Sequence, residues 1–161
     1  IMPSLVGSEM CIRDRIGTIV GGSSRDGAEL KQRFLRNTPS LQTLRERVAR
    51  ASGRGYLKGL DGRRLQVRSE HAALNTLLQA AGAIVMKKAL VLLESYAKQW
   101  KLNYKIIGNV HDEVQAEVSE KHSEKFGYLA VECLKRAGLD FNLRCPLDGE
   151  YKVGTTWAET H

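Results

Sequence analysis

Two adjacent carboxylates, Asp112 and Glu113, follow His111 in the middle of the segment 104–118. Apolar residues flank this tripeptide, and from residue 114 to 118 apolar and polar side chains alternate, as in a half-buried strand. A hairpin tip can hold a carboxylate rigidly, and Mg²⁺ is bound by one or two carboxylates together with substrate phosphates and water. The pattern is therefore compatible with a metal ion bound at the Asp112 tip and equally with an ordinary acidic surface turn, and by itself it leaves both open.

A second group of informative residues is basic. Arg63, Arg64 and Arg68 follow an Asp-Gly turn signal at 61–62, which predicts a β-hairpin over residues 56–68. Arginines on an edge strand can simply prevent aggregation. Three of them in six residues favour contacts with phosphate groups.

Charge is unevenly distributed along this chain, whose formal net charge is +7. Residues 16–68 hold twelve Lys and Arg against four Asp and Glu, whereas residues 69–161 hold eleven against twelve. A basic half beside a nearly neutral half indicates a surface that meets a polyanion, and nucleic acid is the usual partner of such a surface. A solvated basic helix is the alternative that charge alone leaves open.

The segment 70–100 is predicted to be one long helix, capped by Ser69 and apolar on most sides. One polar line interrupts it, because His71, Asn75 and Gln79 are spaced four apart and share a face. Two small residues, Gly and Ala, continue this face. The line is either a surface that a partner approaches closely or a set of hydrogen-bonded polar groups in the core.

Other patterns complete an α+β layout, in which helices pack on a small antiparallel sheet. Helices are expected at 28–36, from Thr38 as N-cap with Pro39 as the first helical residue, and at 120–136 with Gly138 as C-cap. Short strands or extended segments are expected at 141–145 and 149–153.

Bulk properties indicate an intracellular globular protein without a membrane partner. The chain has 161 residues, of which 42% are hydrophobic and 27% charged, enough for one domain with a core. The longest uninterrupted apolar stretch, residues 80–86, is too short to span a bilayer. Cys11, Cys133 and Cys145 show no metal-binding spacing and are expected to be free thiols in the cytoplasm.

Residues 1–15 require separate treatment. Their sequence resembles the translation of a transposase adapter used to prepare sequencing libraries, so we expect a non-native tail that contributes nothing to the fold. The natural sequence would then begin near Ile16. A genuine N-terminal segment is the alternative.

Four motifs in order resemble DNA polymerase family A, the DNA polymerase I family, and its phage-type replicative members in particular. These are the hairpin Lys58–Arg64, the helix Arg68–Ala83, the motif C tetrapeptide Val110–Glu113 and the ending Gly154–His161. The resemblance runs from about Ile16 to His161. It implies an incomplete polymerase palm, with the end of the fingers subdomain at residues 16–55 and the C-terminal part of the palm at 56–161.

The resemblance also implies roles for the motif C residues in adding nucleotides to a primer 3′-hydroxyl. Asp112 would be a catalytic metal ligand for one or both of two Mg²⁺ ions. Glu113, also assigned to the catalytic and metal site, would tune it or hold a metal-bound water. His111 would lie near the primer terminus and orient it.

Primer–template DNA and deoxynucleoside triphosphates are the implied partners. Asn75 and Gln79 would donate to minor-groove acceptors that every base pair presents. His71 would meet the backbone or the terminal base pair; relatives often have Arg there. The hairpin arginines Arg63, Arg64 and Arg68 would contact phosphates.

The family requires a second catalytic Asp on an earlier palm strand and a nucleotide-gripping fingers helix, and the resemblance begins after both. We therefore expect the isolated chain to be inactive, with any processivity factor binding a region not present here. If phage-encoded, the enzyme would act in the host cytoplasm.

Two other classes of function remain open from the residues alone. One is a non-catalytic duplex DNA-binding module. The other is a metal-dependent phosphohydrolase built around His111 and Asp112, which would need further His or Asp ligands.

Overall fold

The computed structural model describes residues 15–160, except for the side chains at positions 70 and 71. The predicted adapter-derived tail therefore lies outside the described residues, apart from Arg15. Residues 15–19 are helical. The elements that follow are α1 (Ser24–Asn37), α2 (Pro39–Ser52), β1 (Tyr56–Lys58), β2 (Arg64–Gln66), α3 (Glu70–Gln99), β3 (Tyr104–Val110), β4 (Glu113–Val118), a 3₁₀ turn (Glu120–His122), α4 (Ser123–Asp140) and α5 (Trp157–Thr160).

The described chain divides into two compact units. One contains the residues up to Leu57 together with Arg64–Leu77, and the other contains Lys58–Arg63 together with the residues from Leu78 onward. The strands form two separate two-stranded sheets, β1 with β2 and β3 with β4. The predicted α+β class with a small antiparallel sheet and long helices is confirmed.

The first unit is built on α1, α2 and the beginning of α3. Ser23 and Asp26 form a reciprocal capping box that starts α1 at residue 24, four residues earlier than predicted. Thr38 does occupy the N-cap position of α2, but its hydroxyl donates to the carbonyl of Phe34 (2.8 Å) and makes no cap hydrogen bond. The core of this unit is small and centres on three buried residues: Val48, Leu57 and Ala73.

The hairpin predicted at residues 56–68 is present as β1 and β2. Gly62 adopts φ +83°, a left-handed conformation that glycine enters without steric cost, so the Asp-Gly signal marked the turn correctly. The Asp61 carboxylate accepts hydrogen bonds from the backbone N–H of Arg63 (3.2 Å) and from its Nε (2.7 Å). These bonds hold the pKa of Asp61 below its usual value.

Helix α3 is buried along one stripe, whereas the sequence predicted burial on nearly all sides. Ser69 caps it as expected, accepting from the backbone N–H of Ala72 (3.3 Å). Residues four apart are buried from residue 85 onward, but Leu78 is 55% and Val91 67% exposed. By length and mean hydropathy alone Ala72–Gln99 could cross a bilayer, a property that the core helices of water-soluble proteins share.

The second unit packs β3, β4 and α4 against the later part of α3. One core cluster of this unit contains Leu93, Ala97, Leu102, Phe126, Leu129 and Cys133. The segments 141–145 and 149–153, predicted as short strands or extended segments, pair with no strand among the described residues, so the strand alternative is wrong. Cys133 and Cys145 are free thiols as expected, and Cys11 lies outside the described residues.

Helix α4 continues two residues beyond Gly138, which the sequence identified as its C-cap. Gly138 is instead a buried residue of the helix, and a Cβ added there would lie 2.9 Å from the Cγ of Leu147. The glycine is therefore required by close packing of the segment after α4 and not by a left-handed helix end.

Candidate functional site

The hairpin that presents Asp112 contains a one-residue irregularity in β3. Tyr104 pairs with Val118 at one end, and Val110 pairs with Glu113 at the other, but the register shifts between Ile106 and Gly108. Ile107 is the extra residue and is 69% exposed, which identifies a β-bulge. Continuing the first register would leave residues 110–112 in the connection, so the bulge shortens the turn to two residues.

Those two residues are His111 and Asp112, at the tip predicted from the sequence. His111 has φ +55°, a left-handed conformation that is uncommon for a residue with a Cβ but is required in tight two-residue hairpin turns. Backbone strain of this kind persists where the surrounding structure enforces it, and it is concentrated at functional sites. Asp112 is exposed, and no hydrogen bond joins its carboxylate to another described residue.

Glu113 is the first residue of β4 and lies beside the tip. Its Oε1 accepts a hydrogen bond from the Nε2 of Gln115 (3.0 Å), two residues further along the same strand. Gln115 was not identified from the sequence as a site residue. The alternation that predicted the strand identified which face it occupies, but gave no indication that it contacts Glu113.

The base of the hairpin is fixed to the body of the second unit. The Tyr104 hydroxyl donates to Oε2 of Glu94 on α3 (2.6 Å), and its ring lies 5.0 Å from the ring of Phe126 between centroids. Burial, reinforced by the Glu94 hydrogen bond, raises the pKa of Tyr104 to about 12. Ala116 and Val118 pack on the core cluster from the opposite strand. The tip therefore extends from an anchored base.

As possible metal ligands, Asp112 and Glu113 supply hard carboxylate oxygens, which suit Mg²⁺. Within residues 15–160 no group of three or more His, Cys, Asp and Glu side chains is arranged to hold a metal ion. His122 is half-buried, and its Nδ1 accepts the backbone N–H of Asn103 (3.0 Å). The two carboxylates can provide only part of a metal coordination sphere.

The polar line on α3 is a surface feature where its side chains are described. Asn75 and Gln79 are both exposed, which excludes buried hydrogen-bonded polar groups for these two residues. The side chain of His71 lies outside the described part of the chain. Gly82 is also exposed, and no described atom lies within 4 Å of a Cβ built on it, so this part of the surface is open.

All three predicted phosphate-binding arginines are exposed, and among described residues only Arg63 of the three is seen in an ion pair. Arg63 is held by Asp61 through a 2.6 Å contact from its Nη2. Arg64 lies over the ring of Tyr56 at 4.8 Å, and Arg54 approaches the same ring at 5.8 Å. The sequence gave no signal for the contact between Arg64 and Tyr56, because the pairing of β1 with β2 brings these two residues together.

Residues 13–159 match the sequence profile described as DNA polymerase family A. The DNA-directed DNA polymerase of Escherichia phage Phieco32 is 36% identical over 154 residues, which cover 91% of this chain and 25% of the relative. The enzyme of the same name from Escherichia phage T7 is 38% identical over 170 residues, with 92% and 24% covered. The chain spans about a quarter of the length of these phage relatives.

A bacterial relative and a solved structure extend the similarity. DNA polymerase I of Bacillus caldotenax is 30% identical over 148 residues, covering 84% of this chain and 16% of the relative. The POL domain of Pol1 from M. smegmatis, solved in complex with DNA primer-template and dNTP, aligns with a TM-score of 0.68 at 22% identity. That alignment covers 79% of this chain and 25% of the solved one, and it supports the same fold.

Proposed function

The chain belongs to DNA polymerase family A, and from that membership we propose that it is the C-terminal part of a template-directed DNA polymerase of the phage replicative type. The complete enzyme would transfer nucleotides from deoxynucleoside triphosphates to a primer 3′-hydroxyl. The observation that carries the proposal is the two-residue tip of the β3–β4 hairpin, where Asp112 is exposed on a strained and anchored turn.

In this proposal Asp112 binds the catalytic metal and Glu113 supports it from the adjacent position. The donor set fits, since two adjacent carboxylates offer hard oxygens and Asp112 has no hydrogen bond to other described residues. When two Mg²⁺ ions are bound, they stabilise the attacking and leaving oxygens of the in-line displacement. His111 orients the primer terminus.

The ligand set would be completed from outside this segment. Asp112 and Glu113 do not by themselves form a closed site, and the nucleotide phosphates together with a second catalytic Asp on an earlier palm strand would supply the remaining oxygens. A fingers helix elsewhere in the longer protein would grip the nucleotide. We therefore propose that the isolated 161-residue chain cannot extend a primer.

Primer–template DNA would be held by two kinds of contact. Asn75 and Gln79 carry exposed amides that can donate to minor-groove acceptors whatever the sequence, which suits an enzyme that must copy every template. Arg64 and Arg68, with Arg63 and His71 as further candidates, would bind phosphates and position the duplex. Any processivity factor would bind elsewhere in the longer protein, which would act in the cytoplasm of its host.

The decisive experiment is Asp112→Asn in the complete polymerase, obtained by extending the reading frame upstream in the source DNA. Primer extension should fall by several orders of magnitude, because a metal ligand is lost. Binding of primer–template in the absence of metal should be unchanged. Glu117→Gln is the matched control, since it removes an exposed carboxylate from the same strand, and it should retain activity.

Other outcomes would separate the competing functions. Full extension activity in Asp112→Asn would overturn the catalytic role of this residue. Salt-dependent DNA binding without any extension by the wild-type protein would favour a duplex-binding module. Magnesium-dependent extension by the isolated chain would overturn the proposal that it is inactive alone.

A further inference from the structure

We propose that Gln115 is a positioning residue that fixes the orientation of the Glu113 carboxylate beside the catalytic Asp112. The inference rests on the proposed polymerase function, and it assigns a role to a residue that the motif C tetrapeptide does not include. It follows from the pairing of β3 with β4, the hydrogen bond between the two side chains and the glycine opposite them.

The first observation is the hydrogen bond itself. Residues 113 and 115 are two apart on one strand, so their side chains lie on the same face of the sheet. The Gln115 amide donates from Nε2 to Oε1 of Glu113 at 3.0 Å, and Gln115 is half-buried whereas Glu113 is exposed. The more buried side chain therefore donates to the more exposed one.

The second observation is that Gly108 lies directly across the sheet from Gln115. Directly opposed residues of antiparallel strands share a face, and their side chains compete for the same space. Gly108 has no side chain, and a Cβ built on it would already lie 3.6 Å from Oε1 of Gln115. The amide therefore lies over the glycine, with its oxygen toward Gly108 and its nitrogen toward Glu113.

The third observation links this arrangement to the bulge. If the register before the bulge continued, Ile107 would stand opposite Gln115 in place of Gly108. An isoleucine side chain would then occupy the space that the amide uses. The single inserted residue at Ile107 thus both shortens the turn that carries Asp112 and provides the glycine against which Gln115 packs.

A fixed carboxylate next to a metal ligand affects the metal more than the substrate. Outer-shell partners hold ligands in their productive orientation, and their loss typically reduces metal affinity or activity by about 10- to 100-fold. Gln115→Leu removes the donor while keeping a side chain of similar length. We expect it to lower kcat of the complete polymerase by about 10- to 100-fold, while KM for nucleotide changes by less than about twofold.

The test has two readouts beyond turnover. Mn²⁺ affinity is measured by electron paramagnetic resonance in the complete polymerase bound to a chain-terminated primer–template and nucleotide, and Gln115→Leu should weaken it. In a Glu113→Ala background, which removes the acceptor, Gln115→Leu should have no further effect, because Gln115 acts through the Glu113 carboxylate. Glu117→Gln, on the same face of β4, serves as the matched control and should leave both readouts unchanged. Thermal unfolding checks that each variant is folded.

Two results would overturn the inference: unchanged Mn²⁺ affinity in folded Gln115→Leu, or the same loss of kcat in the wild-type and Glu113→Ala backgrounds. Both are distinguishable from failure of the proposed function. If Asp112→Asn abolishes extension while Gln115→Leu behaves like the wild type, the polymerase assignment stands and only the role of Gln115 is lost. If Asp112→Asn is active, the proposed function fails first.

Discussion

The segment after α4 is held against that helix by a contact in which a glycine accommodates an aromatic ring. Gly127 is buried in α4, and a Cβ added to it would overlap the ring of Tyr151. The Tyr151 hydroxyl donates to Oε2 of Glu124 (2.8 Å), one helical turn before Gly127. The ring is thereby held flat against the helix backbone, so Gly127→Ala must displace it.

The expected cost follows from two opposing terms. Tyr151 is 42% exposed, so more than half of its surface is covered. Losing on the order of 100 Å² of covered apolar area costs ~2.5 kcal/mol at ~25 cal/mol per Å². Alanine in place of glycine inside a helix contributes ~1 kcal/mol in the stabilising direction. Gly127→Ala should therefore lower the free energy of unfolding by roughly 1 to 2 kcal/mol.

Urea unfolding of the purified chain, followed by circular dichroism, measures this change. Gly82→Ala is the matched control, because Gly82 lies inside α3 with no described atom within 4 Å of the added Cβ. It should raise the free energy of unfolding by up to ~1 kcal/mol. Trypsin should also cut the displaced segment of Gly127→Ala faster, at the exposed Arg144 and Lys152.

The effect of Gly127→Ala on the free energy of unfolding should change sign when the Tyr151 ring is removed. In a Tyr151→Ala background the obstacle is gone, and Gly127→Ala should then stabilise by ~1 kcal/mol, as Gly82→Ala does. If Gly127→Ala is neutral or stabilising in the wild-type background, or equally destabilising in both backgrounds, the ring does not determine the need for glycine.

Two further predictions concern the anchored base of the β3–β4 hairpin and the exposed arginine Arg64. Tyr104→Phe should lower the free energy of unfolding by ~1 kcal/mol near neutral pH, because it removes the partly exposed hydrogen bond to Glu94. Burial and this bond raise the pKa of Tyr104 to about 12, above the unfolded value of about 10. The contribution of the bond to the free energy of unfolding is therefore complete below about pH 10 and is lost as the pH rises toward about 12. Urea unfolding of both proteins at about pH 8 and about pH 11.5 checks it, and a constant difference would contradict the assignment. Arg64→Gln in the complete polymerase should reduce the slope of log affinity for primer–template against log salt concentration by about 1, as measured by salt titration. Lys121→Gln is the control. An unchanged slope for Arg64→Gln, or an equal change for Lys121→Gln, would refute a phosphate contact by Arg64.

The β3–β4 hairpin could be predicted because its determinants are local. Alternation after Glu113 identifies one strand, and a polar tip between apolar runs identifies the turn. The bulge could not be predicted, because Ile106 and Ile107 are equivalent in sequence and only pairing with the opposite strand decides which is extra. The contact between Gln115 and Glu113 depends on that register and was missed with it.

The roles of the glycines show the same limit of prediction from local sequence. At Gly62 the preceding Asp and the flanking strand patterns indicate from local sequence that a residue in the left-handed conformation is required. At Gly127 and Gly138 the reason is a ring and a leucine more than eight residues away, Tyr151 and Leu147. Local rules predict a helix end at Gly138 because they offer no other use for a glycine there. Its actual cause is long-range packing, which no local pattern reports.

Departures from local backbone preferences are clear at the tip of the β3–β4 hairpin, where the proposed chemistry would occur. His111 has a Cβ but adopts a left-handed conformation, and the strand before it contains an unpaired residue. Folding alone would be served better by glycine at position 111 and by a regular strand. Both deviations have one consequence, a two-residue turn that exposes Asp112 while Glu113 is already paired in the sheet. Such deviations are expected where function opposes stability, and they support the catalytic role proposed for Asp112 on grounds separate from the family assignment.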